Sequence, residues 1–143
     1  MTDASGKLDS TLMPTGVGAD TRSVVSSENL AAGDFVNEYD NAGTPTVRKA
    51  DPANGRPATG YVLSAVTSPA NATVYPLGGT TNTGKSGLTI GSLYVLDPAT
   101  AGAVITAASA TLANGNLRQV VGRAVSATAL QTVHEDPIEW QAS

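Results

Sequence analysis

The sequence predicts an all-β fold: a single compact β-barrel or β-sandwich with an extended N-terminal arm. Three observations lead there. Short segments rich in Val, Tyr and Leu recur at roughly the 8–12-residue spacing of sandwiches and barrels. Clusters of Gly, Pro, Asn and Asp separate them, as turns require. No segment repeats apolar residues at i, i+3, i+4 and i+7 between caps, so no amphipathic helix is predicted.

Residues 1–22 form the predicted arm and residues 23–143 the β-rich domain. The arm has no sustained period of 2 or 3.6, and Pro14, Gly16 and Gly18 break any helix that Leu8, Leu12 and Met13 could start. Large apolar residues in a segment without a fold of its own predict docking onto another surface. The strands that follow are predicted at 23–27, 34–39, 46–50, 60–66, 73–77, 92–96, 103–106, 117–125 and 129–133. Between them lie Asn41-Ala42-Gly43, Asp51-Pro52-Ala53-Asn54-Gly55, Ser68-Pro69, Gly78-Gly79, Asp97-Pro98 and Asn114-Gly115. Asn-Gly supplies the positive φ angles of tight hairpins, and Pro cannot donate to a central ladder. Residues 99–112 are rich in Ala, yet Pro98, Gly102 and the β-branched run Val104-Ile105-Thr106 count against a long helix.

Composition narrows the function. The 143 residues amount to one domain, with net charge −4 and 14% charged residues, against about 25% in an ordinary soluble domain. One Phe, one Trp and many Ala leave a thin core, because each Ala in place of Leu or Phe removes area worth ~25 cal/mol per Å². Association with a further copy or a permanent host surface would stabilise such a fold by mass action. A membrane span is not expected, since no apolar run approaches ~18–20 residues. Met1-Thr2-Asp3-Ala4-Ser5 lacks the basic and apolar regions of a secretory signal. The absence of Cys excludes disulfide frameworks, zinc knuckles and thiol nucleophiles. A negative balance without a Lys/Arg cluster argues against nucleic acid, whose affinity rests on phosphate neutralisation.

The loudest motif is Gly79-Thr80-Thr81-Asn82-Thr83-Gly84-Lys85-Ser86, which satisfies G-x-x-x-x-G-K-[ST]. Phosphate binding there needs a helix to begin at Lys85 so that its first amides face the anion. Gly87-Leu88-Thr89-Ile90-Gly91 follows instead, and no helix is predicted, so the segment is read as a loop between strands. The only His opens His134-Glu135-Asp136 before Pro137, where a solvated polar turn is expected rather than a base or metal ligand. No G-x-S-x-G nucleophile turn exists. Asp34, Glu38, Asp40, Asp51 and Asp97 fall at predicted turns and strand ends, where carboxylates bond nearby backbone. Asn71-Ala72-Thr73 matches a glycosylation acceptor, which is idle without a secretory signal. The sequence thus predicts no catalytic residue, metal or cofactor. Trp140 has two readings that the sequence leaves open: it packs the last segment down, or it anchors a subunit interface.

Several phrases resemble small structural proteins of tailed bacteriophages. They are Asn29-Leu30-Ala31-Ala32-Gly33-Asp34-Phe35-Val36, Thr46-Val47-Arg48-Lys49-Ala50-Asp51 and Pro57-Ala58-Thr59-Gly60-Tyr61-Val62. Gly87-Leu88-Thr89-Ile90-Gly91-Ser92-Leu93-Tyr94-Val95-Leu96 and Gln119-Val120-Val121-Gly122-Arg123-Ala124-Val125-Ser126-Ala127-Thr128 continue the pattern. Gly6-Lys7-Leu8-Asp9-Ser10-Thr11-Leu12-Met13-Pro14 is similar to segments near the N-termini of phage head and fibre proteins. The likeness spans roughly residues 6 to 138 as scattered phrases. It implies a capsid decoration (cement) protein or related virion surface module: a β-rich clamp on assembled shell, often trimeric. The major capsid protein would be the partner, a homotrimer would be favoured over a dimer, and the chain, made in the host cytoplasm, would end on the capsid surface. Leu8, Leu12, Met13 and Trp140 are the expected capsid or subunit docking residues. The alternatives are a tail-fibre or baseplate module and a carbohydrate-binding β-domain, the latter poorly served by four Tyr and one Trp.

Overall fold

The computed structural model describes residues 21–140. Leu8, Leu12 and Met13 therefore lie outside the described residues. The strands are β1 (Arg22–Ser26), β2 (Phe35–Asn41), β3 (Thr44–Lys49), β4 (Gly60–Tyr61), β5 (Ala70–Pro76), β6 (Thr81–Asn82), β7 (Leu93–Leu96), β8 (Val104–Thr106), β9 (Leu117–Arg118), β10 (Val120–Ala124), β11 (Leu130–Thr132) and β12 (Ile138–Glu139). Among the described residues one 3₁₀ turn, Pro52–Asn54, forms; it is capped by Asp51, whose carboxylate accepts from the Ala53 amide at 3.0 Å. The predicted all-β fold is what forms.

The first five strands close a barrel in the order β1-β3-β2-β4-β5. β1 pairs parallel to β3 and antiparallel to β5; the remaining pairs are antiparallel. A five-stranded antiparallel sheet, β6-β11-β10-β7-β8, follows, and β12 and β9 form a separate two-stranded ribbon. The sequence left barrel and sandwich open, and the barrel is joined to a second sheet.

Alternation along the barrel strands explains how the two sheets share one chain. Successive side chains of a strand point to opposite faces. On β2 and β4, Val36 and the adjoining Val62 turn into the barrel, with Val24, Leu30, Val47, Ala72 and Val74. Phe35 and Tyr61 turn the other way. They join Leu77, Leu88, Tyr94, Leu96, Val121, Ala124 and Leu130 in a second core between barrel and sheet. Phe35 and Tyr61 lie with ring centroids 5.8 Å apart, and Tyr61 stacks on Tyr75 at 5.4 Å. Small aliphatics fill the barrel, and the scarce aromatics fill the seam.

Two local features lock the seam. Gly33, at φ +88°, crosses so close to Gly84 that a Cβ on Gly84 would lie 2.7 Å from the Gly33 Cα. Only glycine on both chains permits that approach. The predicted 117–125 strand is interrupted at Gln119, which is 2% exposed. Its side-chain amide accepts from the Ala58 amide at 2.7 Å and donates to the Ala58 carbonyl at 3.0 Å, imitating a ladder rung between barrel and sheet. A register shift between Val120 and Gly122 accompanies the break. The predicted 60–66 strand is also shorter: β4 ends at Tyr61, and Val66 makes an isolated bridge with Leu30.

Tyr61→Ala should cost about 3–5 kcal/mol, the range for emptying a buried aromatic site. Gln119→Leu should cost about 1–3 kcal/mol, because it leaves the Ala58 amide and carbonyl buried without partners. Both are read from urea unfolding. Each variant should still unfold in one transition if barrel and sheet share the seam core.

Candidate functional site

The site candidates in the sequence resolve into structural roles first. No helix begins at Lys85: the P-loop-like segment runs through the short strand β6 into bends. The Lys85 ammonium donates to the Gly33 carbonyl at 3.2 Å and sits 5.6 Å from the Phe35 ring centroid. Asn82, fully buried, donates to the same carbonyl at 3.0 Å and accepts from the Gly84 amide at 2.9 Å. The motif therefore fastens the Gly33 crossing. Burial lowers the Lys85 pKa from 10.5, and the Asp34 charge opposes that shift in part.

The carboxylates bond nearby chain. Asp34 accepts from the Ala31 amide at 2.9 Å, Asp40 from Gly43 at 2.7 Å and Asp97 from Ala99 at 2.8 Å. Glu38 pairs with Arg22. His134, Glu135 and Asp136 are all exposed. The described residues hold no group of three His, Cys, Asp or Glu that could bind a metal ion. A cavity of about 440 Å³ opens beside the β2–β3 turn, lined by Glu38, Tyr39, Asp40, Gly43, Pro45 and Thr59. Its carboxylates are those already paired with Arg22 and the Gly43 amide.

What stands out is an apolar surface on the second sheet. Leu93 and Arg123 face each other across β7 and β10 on the side opposite the buried Tyr94 and Ala124. Val125, two residues past Arg123, continues that side and is 49% exposed; Leu93 is 40% exposed. The Gly91 amide donates to the Ala124 carbonyl at 2.8 Å, and Arg123 donates to the Gly91 carbonyl at 2.9 Å. Both bonds hold the turn that presents Ile90, at 70% the most exposed large apolar side chain described. A depression of about 310 Å³ adjoins it, lined by Leu93, Thr106, Ala107, Ala108 and Arg123 among others. Grouped exposed apolar side chains of this kind mark interaction surfaces.

Trp140 lies elsewhere. Its amide donates to the Asn116 carbonyl at 2.6 Å and its carbonyl accepts from Gly115 at 2.8 Å, so backbone bonds fasten this segment. The side chain stays 39% exposed, near Ile138 at 60%. Sequence reasoning named Trp140 but missed Ile90, Leu93 and Val125. The signal for the latter two was alternation within predicted strands, but Leu93-Tyr94-Val95-Leu96 is apolar throughout and does not reveal which side stays open.

Comparison with protein-family models, curated proteins and solved structures returns no match.

Lys85 yields a pH prediction. Its native pKa lies below its unfolded value, so between the two the unfolded chain binds more protons and stability rises with pH. Burial raises the Tyr61 pKa above 10.0, which lowers stability at higher pH still. The comparison of wild type with Lys85→Met isolates the first effect. Relative to the variant, wild type should gain stability as pH climbs toward 10.5, measured by urea unfolding at each pH. Titration of ATP with Mg²⁺ should give no saturable heat, because no helix N-terminus faces the loop.

Proposed function

We propose that the chain is a structural, non-enzymatic virion protein that binds the outside of an assembled phage capsid and stabilises it. The observation that carries this reading is the exposed apolar group Ile90, Leu93 and Val125 on the second sheet. Such a surface is stable when a partner covers it, and a shell offers one permanent partner to many copies. Two of the phrases that resemble phage structural proteins, residues 87–96 and 119–128, are the segments that build this surface. Of the other phrases, 29–36 reaches the start of β2, 46–51 covers most of β3 and 57–62 contains β4, while 6–14 lies outside the described residues. The major capsid protein is the proposed partner, and a homotrimer the proposed solution form.

A fully buried Leu, Ile or Val is worth ~1.5–3 kcal/mol, less the cost of association. Leu93→Asp combined with Val125→Asp should therefore weaken co-sedimentation with purified undecorated shells by about 100-fold or more, roughly 2.8 kcal/mol. Far-UV circular dichroism should be unchanged, since both side chains are exposed in the free protein. Equal pelleting of variant and wild type would refute shell binding through this face. Light scattering should give about three times the 14.3 kDa chain mass. Hundreds of copies per particle fit shell decoration, whereas a few to tens would favour the tail-fibre or baseplate alternative.

A further inference from the structure

Strand register sets Arg123 among neutral neighbours on the outer side of the second sheet. Thr81, Gln131, Arg123 and Leu93 lie side by side across β6, β11, β10 and β7. The Ala107 amide, donating to the Leu93 carbonyl at 2.9 Å, carries this row on beyond β7. Past Arg123 on the same side, the Val125 amide donates to the Ala129 carbonyl at 2.9 Å, and this pair is neutral too. Arg123 is the one charge among them.

Cross-strand neighbours on one face are close enough to pair opposite charges. Arg123 has Leu93 and Gln131 in those places instead. Among the described residues its hydrogen bond runs from Nη1 to the Gly91 carbonyl at 2.9 Å, and the ion pair that forms, Arg22 with Glu38, does not involve it. The Gly91 carbonyl satisfies one of five guanidinium donors and supplies no negative charge. The side chain borders the 310 Å³ depression together with Leu93, Thr106 and Ala107.

This placement constrains whatever covers the face. Arg123 lies beside Leu93 and two residues from Val125, so a surface that covers both apolar side chains also takes the guanidinium out of water. A desolvated charge opposes binding strongly unless an opposite charge meets it. Arginine cannot lose its proton to escape that cost. A carboxylate answers it best, because its two oxygens match the planar fork of N–H donors.

We propose that the partner presents an Asp or Glu carboxylate, ringed by apolar side chains, which enters the 310 Å³ depression and pairs with Arg123. The inference rests on the shell-binding reading and deepens it: the carboxylate belongs to the major capsid protein. Apolar contacts to Ile90, Leu93 and Val125 exclude water around the pair, the surrounding that makes a central arginine count in an interface. On a chain of net charge −4, a cation at this one place also fixes the orientation in which an acidic partner is accepted. A second copy docking by two-fold symmetry through the same face would bring two Arg123 side chains together without an acid to neutralise them.

Co-sedimentation of wild type, Arg123→Leu and Arg123→Glu with purified undecorated shells tests it by sign. A partner without the carboxylate would bind Arg123→Leu as well as wild type or better, since that change removes a desolvated charge and adds apolar area. With the carboxylate present, Arg123→Leu leaves it buried and unpaired, and affinity should fall about tenfold or more. Arg123→Glu sets two carboxylates against each other and should bind about tenfold weaker again. Both variants lose the bond to the Gly91 carbonyl, so a merely structural role would weaken them alike. Equal or tighter binding by Arg123→Leu, or equal losses in the two variants, would overturn the proposal. So would a fall in the mass of the free variants by light scattering, which would put the carboxylate on a second copy. Wild type that fails to pellet refutes the shell reading and this inference with it. Wild type that pellets beside an equally avid Arg123→Leu refutes this inference alone.

Discussion

Phe35, Tyr61 and Tyr75 form the contact on which the rest of this structure depends. Tyr61 packs against Phe35 on one side and stacks on Tyr75 on the other, and all three line the seam toward Tyr94, Leu96 and Leu130. Because neighbouring residues on a strand face opposite ways, the same short strands can feed two cores. Val36 and Val62 fill the barrel with other aliphatic side chains, while Phe35 and Tyr61 reach the sheet. A chain with one Phe and four Tyr has few large side chains to distribute, and most of them are placed at this one junction.

That placement shapes the surface. The second sheet turns Tyr94, Ala124 and Leu130 toward the seam, so Leu93, Arg123 and Val125 must face outward by alternation. Barrel closure pairs both sides of the first sheet, whereas β8 keeps one side open. The features proposed for recognition therefore lie on the second sheet, and the barrel serves as the rigid base that positions it.

Much of the fold was legible in the sequence because turn chemistry is local. Asp40 with Gly43, Asp51 with its 3₁₀ turn and Asp97 with Ala99 act on their own neighbours, and each was visible as a turn cluster. The nine predicted segments each contain a strand or part of one. What escaped depends on partners distant in sequence. β6 and β12 are two residues long, and only the ladders of β11 and β9 define them. Gln119 replaces a backbone rung through its bond to Ala58, across 61 residues, and nothing in the local pattern marks it. The exposed side of β7 was hidden for a different reason: Tyr94, Val95 and Leu96 are all buried, so the strand shows no polar alternation from which to read the open side.

The central claim is that the second sheet's outer side meets an assembled shell. A cryo-EM reconstruction of particles carrying this chain tests it most directly. The account predicts density for the domain at regular positions over the capsid, with Ile90, Leu93 and Val125 turned toward the shell. Density confined to the tail, or a shell-bound domain with that side facing solvent, would contradict it.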